Sequence, residues 1–209
     1  MRNAQRKSAI GVIILGAGAS SRMGRPKLLL PWGDTSVIGH IFRQWRELGA
    51  GQIAIVHRPN DALLAAELGR LYFPAQDRIE NPQSERGMFS SILCAANWTR
   101  WKKEISKWAV VLGDQPHLRT ETLRVLLECS AQNPDAVCQP EFGGHAGHPV
   151  LLPRPAFEEL RQSHAKTLKD FLKQTSCPLV KRSIEDPGLS LDLDTPEDYK
   201  QATIRLNEA

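Results

Sequence analysis

No stretch of this sequence stays apolar long enough to span a membrane, and the apolar run near its start is too short for a secretory leader, so a membrane partner is not expected. Paired cysteines are lacking too. Cys94, Cys129, Cys138 and Cys177 are scattered, with no Cys-x-x-Cys spacing, which argues against a disulfide framework or a zinc knuckle and reads as free thiols in a reducing cytoplasm. Internal repeats and low-complexity tracts are absent. A formal net charge of +4 without a clustered basic stripe is too modest to imply nucleic acid as a partner. At 209 residues the chain suits a single domain over 9–209, preceded by a short basic segment, 1–8, expected to be flexible.

What is present is concentrated near the start. Residues 10–15 form a short β-branched apolar run, the pattern of a strand buried on both faces of a parallel sheet. It runs into Leu15-Gly16-Ala17-Gly18-Ala19-Ser20-Ser21-Arg22-Met23-Gly24-Arg25-Pro26-Lys27. Gly16, Gly18 and Gly24 let backbone N–H groups approach a ligand, and Arg22 and Lys27 add full positive charges. Together they suit several anionic oxygens at once, as a triphosphate supplies. The spacing excludes two better-known loops. A P-loop requires Gly-Lys-Ser/Thr where Gly24 is followed by Arg25, and a dinucleotide fingerprint requires a third glycine where Ser21 stands.

Beyond the loop, residues 28–33 read as an apolar segment closed by Pro31 and Gly33, Ser36 caps a helix predicted over 37–48, residues 52–57 read as a second strand, 61–71 as a helix and 78–81 as a short extended piece. Strand, helix, strand in this order predicts parallel pairing through right-handed crossovers. Asn81, Gly87, Ser90 and Ser91 surround the start of a helix that runs to about Trp98, and N–H groups and hydroxyls at a helix start suit a phosphate or a base edge. An apolar strand from Trp108 ends in Gly113-Asp114-Gln115-Pro116, which puts a carboxylate where open α/β sheets bind ligands. Asp114 is therefore the first candidate metal ligand, its hard oxygens suited to magnesium. Thr120 is expected to cap a helix ending near Ser130.

Residues 139–150 read as a glycine-rich hairpin. Its His145 and His148 lack a third ligand nearby, so catalytic zinc is not indicated. Helices are expected over 156–163 and 168–174, and a strand over 178–182. Near the end, alternation places Asp192 and Asp194 on one face of a strand. Thr195, Pro196, Glu197 and Asp198 form a good helix start, which leaves Asp192 to complete a metal site with Asp114.

The loop, the Gly113-Asp114-Gln115-Pro116 turn, the Gly147-His148-Pro149-Val150 element and Asp192-Leu193-Asp194-Thr195-Pro196-Glu197-Asp198 together resemble nucleotidyltransferases of the molybdenum-cofactor branch. That resemblance implies a three-layer α/β/α Rossmann-like fold with a mostly parallel central sheet, and Mg2+ as cofactor. It implies transfer of a nucleotide from an NTP to a phosphorylated acceptor, molybdopterin, with pyrophosphate released, and a molybdoenzyme or its chaperone as a further partner. Leu15, Gly16, Ala17, Gly18, Ser20, Arg22, Lys27, Asn81, Gly87, Ser90 and Ser91 would contact the nucleotide, with Lys27 and Arg22 catalytic. Asp114 and Asp192 would hold the metal, and Gly147, His148 and Pro149 would shape the acceptor side. Alanine at position 17, the third of Leu-Gly-Ala-Gly, favours CTP over GTP. The chain departs from the branch where an acidic, glycine-rich stretch is usual, carrying Ser163-His164-Ala165-Lys166-Thr167-Leu168-Lys169 instead; Lys166 and Lys169 are the cations there. A cytidylyltransferase acting on a sugar phosphate or methylerythritol phosphate is the alternative within the same chemistry. A non-catalytic nucleotide-binding accessory protein is the alternative from another class.

Overall fold

A computed structural model describes residues 9–18 and 23–207, the side chains of 205–207 excepted. In chain order its elements are β1 (Ala9–Leu15), β2 (Pro31–Trp32), β3 (Thr35–Ser36), α1 (Val37–Glu47), β4 (Gln52–His57), α2 (Ala62–Arg70), β5 (Arg78–Glu80), α3 (Met88–Asn97), β6 (Ile105–Leu112), α4 (Thr120–Gln132), β7 (Val137–Phe142), β8 (His145–Ala146), β9 (Val150–Pro153), α5 (Arg154–Leu160), α6 (Leu168–Gln174), β10 (Leu179–Ser183) and α7 (Pro196–Asn207).

The main sheet runs β10-β7-β9-β6-β1-β4-β5, with β8 hairpinned onto β7. Pairing is parallel between β6 and β1, β1 and β4, β4 and β5, and β7 and β10. It is antiparallel only where β9 joins β6 and β7, and in the β7–β8 hairpin. Period-two alternation then sorts side chains between two cores. Val12 and Ile14 of β1 and Ile53 and Ile55 of β4 pack with α1, α2, α4 and α7 on one face. Ile13, Ala54, Val56 and Trp108 pack with α3, α5 and α6 on the other. The mixed α/β fold is thus three-layered around a mainly parallel sheet. Below β1, Trp108 stacks on Phe157 at 3.9 Å between ring centres, and Trp101 meets both edge-on. That aromatic block explains Gly11: a Cβ there would lie 2.9 Å from the Trp108 ring and 3.0 Å from Trp101.

Local signals account for most boundaries. Ser36 caps α1, its hydroxyl accepting from the Gly39 N–H, and the buried stripe Val37, Ile38, Ile41, Phe42 and Trp45 has helical spacing. Gly49, at φ +82, ends the helix in the left-handed region. Asp61 caps α2 in the same way as Ser36 caps α1.

Four expectations need correction. Thr120 is the first residue of α4 rather than its cap, which is Arg119. Helix α5 starts two residues earlier than expected, because Pro155 sits comfortably in its first turn, and it ends at Leu160, where i→i+3 bonds tighten residues 161–163 into turns. The segment 28–33 is not a plain apolar stretch: a 3₁₀ turn (Lys27–Leu29) leads into the β2–β3 hairpin, turned by Gly33 at φ +59. Residues 191–194 are a loop, not a strand. The Leu193 N–H goes to the Asp114 carbonyl and the Asp194 N–H to that of Asp192, so no ladder forms. The alternation there records burial of Leu193, which is fully enclosed in the core.

Candidate active site

The adjacent strands β1, β4 and β6 end side by side. The Gly16 N–H donates to the Val56 carbonyl, and the Gly113 N–H to that of Leu15. Gly113 must be glycine, since a Cβ would sit 2.8 Å from the Leu15 carbonyl oxygen and 2.7 Å from a methyl of Leu28. A Cβ on Gly16 would likewise meet Leu28, at 3.0 Å. Leu28 therefore wedges between two strand-end glycines and pins the 3₁₀ turn that carries Lys27. Its place in this arrangement was hidden in a run of leucines.

Lys27 is the hub. Its ammonium lies 2.5 Å from Asp194 Oδ1 and 3.4 Å from Asp114 Oδ2, with the lysine side chain only 13% exposed. Residues 87 and 167 positions apart thus meet at one point. Thr195 and Asp198 form the helix start that the sequence predicts, reciprocally: Asp198 accepts from the Thr195 N–H and the Thr195 hydroxyl accepts from the Asp198 N–H. Asp194 is thereby released to face Lys27. A serine or threonine followed three residues on by an acid was the available signal.

Asp192 is held differently. Its Oδ1 accepts from Gln115 Nε2 at 2.8 Å, and Gln115 is buried with its own Oε1 unpartnered. Burial pushes the Asp114 carboxyl above its usual value, the Lys27 ammonium pulls it back down, and the Asp192 charge adds to the rise. Among the described residues no three His, Cys, Asp or Glu side chains are grouped to ligate one ion. The pair Asp114 and Asp192 does fit a hard cation that takes few protein ligands and completes its shell with water and phosphate oxygens.

Gly16, Gly18, Gly24 and Lys27 line a cavity of about 320 Å³ at these strand ends. Arg25 and Arg58 line it too, cations that sequence reading passed over; Arg58 follows directly on the carboxyl end of β4. Leu15 and Ala17 flank Gly16 at the mouth of the loop. Ser20 and Arg22 lie outside the described residues.

The expected base-binding residues divide in two. Asn81 is fully buried, its amide donating to the Ser90 and Ser91 hydroxyls at 2.8 and 2.9 Å while its carbonyl accepts from the Gln83 N–H. Ser91 is buried as well. These two side chains brace the turn over Ser84–Arg86 against α3. Gly87, at φ +90, and Ser90 remain accessible at the helix start.

Of the residues expected to shape the acceptor side, Gly147 bridges the hairpin through bonds to the Pro140 carbonyl and from Gln139 Nε2, and Pro149 is buried after a cis peptide bond. His148 Nδ1 lies 3.3 Å from the Val110 carbonyl of β6. Burial holds its imidazole below the usual value, with the Val110 carbonyl and the Asp192 charge acting the other way. His148 faces a second cavity, of about 570 Å³, to which Lys169 contributes and Lys166 does not.

A parallel sheet whose strand ends gather a glycine-lined loop, a lysine and acidic side chains defines a nucleotidyltransferase of Rossmann-like fold. The chain belongs to the MobA-like NTP transferase family, whose domain matches residues 12–179. Molybdenum cofactor cytidylyltransferase of Escherichia coli K12 is 27% identical over 205 residues, spanning 96% of this chain and 99% of that protein. The crystal structure of Rv0371c from Mycobacterium tuberculosis H37Rv superposes with a TM-score of 0.74 at 25% identity, covering 94% of this chain and 98% of that one. A manganese complex of Rv0371c superposes at 0.69 and 22% identity, with the same coverage. Among the described residues no helix is long and apolar enough to cross a membrane.

Proposed function

We propose that this nucleotidyltransferase moves a cytidylyl group from CTP to the phosphate of molybdopterin, with Mg2+, releasing pyrophosphate in the cytoplasm. The observation that carries this reading is Lys27, held between Asp114 and Asp194 beside a glycine-lined, cation-rich cavity. A phosphate oxygen of the acceptor attacks the α-phosphorus in line. The bond from that phosphorus to the bridging oxygen of the β-phosphate breaks, and the electron pair leaves with pyrophosphate. The nucleophile is already an anion, so the protein supplies alignment and charge rather than a covalent intermediate. Lys27 meets the α-phosphate and acceptor oxygens; Gly16 and Gly18 bring backbone N–H groups to the triphosphate; Arg22 is proposed for the β- and γ-phosphates.

Asp114 and Asp192 would hold the Mg2+, which supplies charge neutralisation to phosphate oxygens when bound. The donor set supports this. Asp114 and Asp192 lie close enough for the Asp192 charge to raise the Asp114 carboxyl, a repulsion that a divalent cation held by both would offset. Ala17 in the loop, and a relative named as a cytidylyltransferase, support CTP.

The test is pyrophosphate release from purified protein given CTP, GTP, ATP or UTP with Mg2+ and molybdopterin, and in parallel with methylerythritol phosphate. Release with CTP and molybdopterin is expected. Release only with the sugar-alcohol phosphate would reassign the acceptor. Nucleotide binding without release on either would overturn the catalytic reading.

A further inference from the structure

Two acidic segments and one lysine meet at the strand ends, and the distances between them are unequal. The Lys27 ammonium lies 2.5 Å from Asp194 Oδ1 but 3.4 Å from Asp114 Oδ2, one close contact and one loose. The acidic segments are fixed relative to each other. The Leu193 N–H donates to the Asp114 carbonyl, Leu193 itself is fully enclosed in the core, and the Gln115 amide holds Asp192 at 2.8 Å. Lys27 is the adjustable member, since it carries a compact charge at the end of a long flexible stem.

These contacts set two demands on one carboxylate. Asp114 is proposed to hold the divalent cation, and the ammonium rests on its Oδ2. An ammonium already neutralises part of the charge that would attract a metal, and two cations brought to one carboxylate repel each other. Asp194 resolves the conflict. Its closer hold on Lys27 survives when Asp114 is given up, and it keeps the ammonium beside the cavity lined by Gly16, Gly18 and Gly24, where phosphate oxygens are expected.

We propose that Lys27 and the divalent cation compete for Asp114, and that Asp194 is a positioning residue which keeps the ammonium in the site when Asp114 passes to the cation. The inference rests on the nucleotidyl-transfer reading and adds a coupling to it. The protein alone binds the cation weakly. A triphosphate draws the ammonium to itself and so strengthens cation binding, and by linkage the cation strengthens triphosphate binding by the same factor. Asp194 reaches the metal only through Lys27. A direct metal ligand at that position would act whether or not the lysine were present, so the two roles leave different signatures.

The experiment follows Mn2+ binding to the protein without nucleotide, by electron paramagnetic resonance of the free ion. Lys27→Met, which removes the competing charge, should bind Mn2+ about tenfold more tightly than the parent, while Lys27→Arg, which keeps the charge, should bind as the parent does. Asp194→Asn loosens the closer hold, so Lys27 leans on Asp114 and Mn2+ affinity falls about tenfold; made on top of Lys27→Met, the same change should cost no more than about twofold. Because Lys27→Met leaves carboxylates facing one another, a second measurement keeps the lysine. Reductive methylation with 13C-formaldehyde preserves lysine charge and gives each lysine an NMR signal. The signal missing from Lys27→Arg should move as Mg2+ is added to the parent and stay in place in Asp114→Asn. Unchanged or weaker Mn2+ binding by Lys27→Met, an equal loss from Asp194→Asn with and without the lysine, or a Lys27 signal indifferent to Mg2+ overturns the proposal. Failure of the two readings is distinguishable: Mn2+ binding that Asp114→Asn abolishes but Lys27→Met leaves alone removes the competition and keeps the metal site, whereas Mn2+ binding untouched by Asp114→Asn removes the metal site itself.

Discussion

The two cavities are built in opposite ways. At the ends of β1 and β4 the cavity wall includes backbone opened by Gly16, Gly18 and Gly24, and its lysine, Lys27, is locked by carboxylates from two distant segments. The α6–β10 hollow is lined mostly by side chains, apolar ones together with Lys169, Lys173 and Lys181, of which Lys181 pairs with Glu141. Backbone and locked charge give a fixed geometry, suited to aligning phosphates for in-line transfer. The first region, not the second, should govern rate.

The largest effect is expected at the rate-governing end. Lys27→Ala should lower kcat by about a hundredfold or more while circular dichroism and melting stay near the parent, because the lost interaction matters most where charge develops in the transition state. If Lys27→Ala instead moved only the acceptor KM, the contrast between the regions would vanish. A smaller effect is expected from Gln115→Ala. Removing the amide that orients Asp192 should weaken Mn2+ affinity, followed by electron paramagnetic resonance, by about tenfold, with little change in kcat at saturating metal. Unaltered Mn2+ binding would mean that Gln115 merely fills space.

The smallest effect separates stability from rate. Burial raises the Asp114 carboxyl above its ordinary 3.8, so the folded state holds the proton more tightly than the unfolded chain does. Its ionised form therefore costs stability, and that cost grows as pH rises from 3.8 through the raised folded value. Asp114→Asn should melt about 2 °C higher than the parent at neutral pH, with the gap closing as pH falls towards 3.8, even as turnover drops. A lower melting point for Asp114→Asn at neutral pH would show that the Lys27 pairing outweighs burial.

Much of the rate-governing region was legible in the sequence because its parts are contiguous. The apolar run, the glycines and Lys27 occupy one stretch, and Asp114 ends an obvious strand. The helices with clear caps, at Ser36 and Asp61, were legible for the same local reason. What could not be read required the fold. Leu28 matters only because Gly16 and Gly113 become neighbours, and Asp194 matters only because the capping of α7 by Thr195 and Asp198 leaves it facing Lys27. Asn81, Ser90 and Ser91 looked alike as polar residues near a helix start, and only burial separates the braces from the accessible hydroxyl. The second cavity is drawn from α3, α6 and β7 to β10, so no single segment announces it; Lys169 was visible as a cation, but not its alignment with Lys173.

The central claim is that Lys27 and Asp114 act as one unit on the nucleotide. A double-mutant cycle on kcat/KM for CTP, using Lys27→Ala, Asp114→Ala and the combination, measures that most directly. The account predicts strong non-additivity, the double variant being scarcely slower than the slower single one. Additive losses, each side chain costing the same whether or not the other is present, would contradict it.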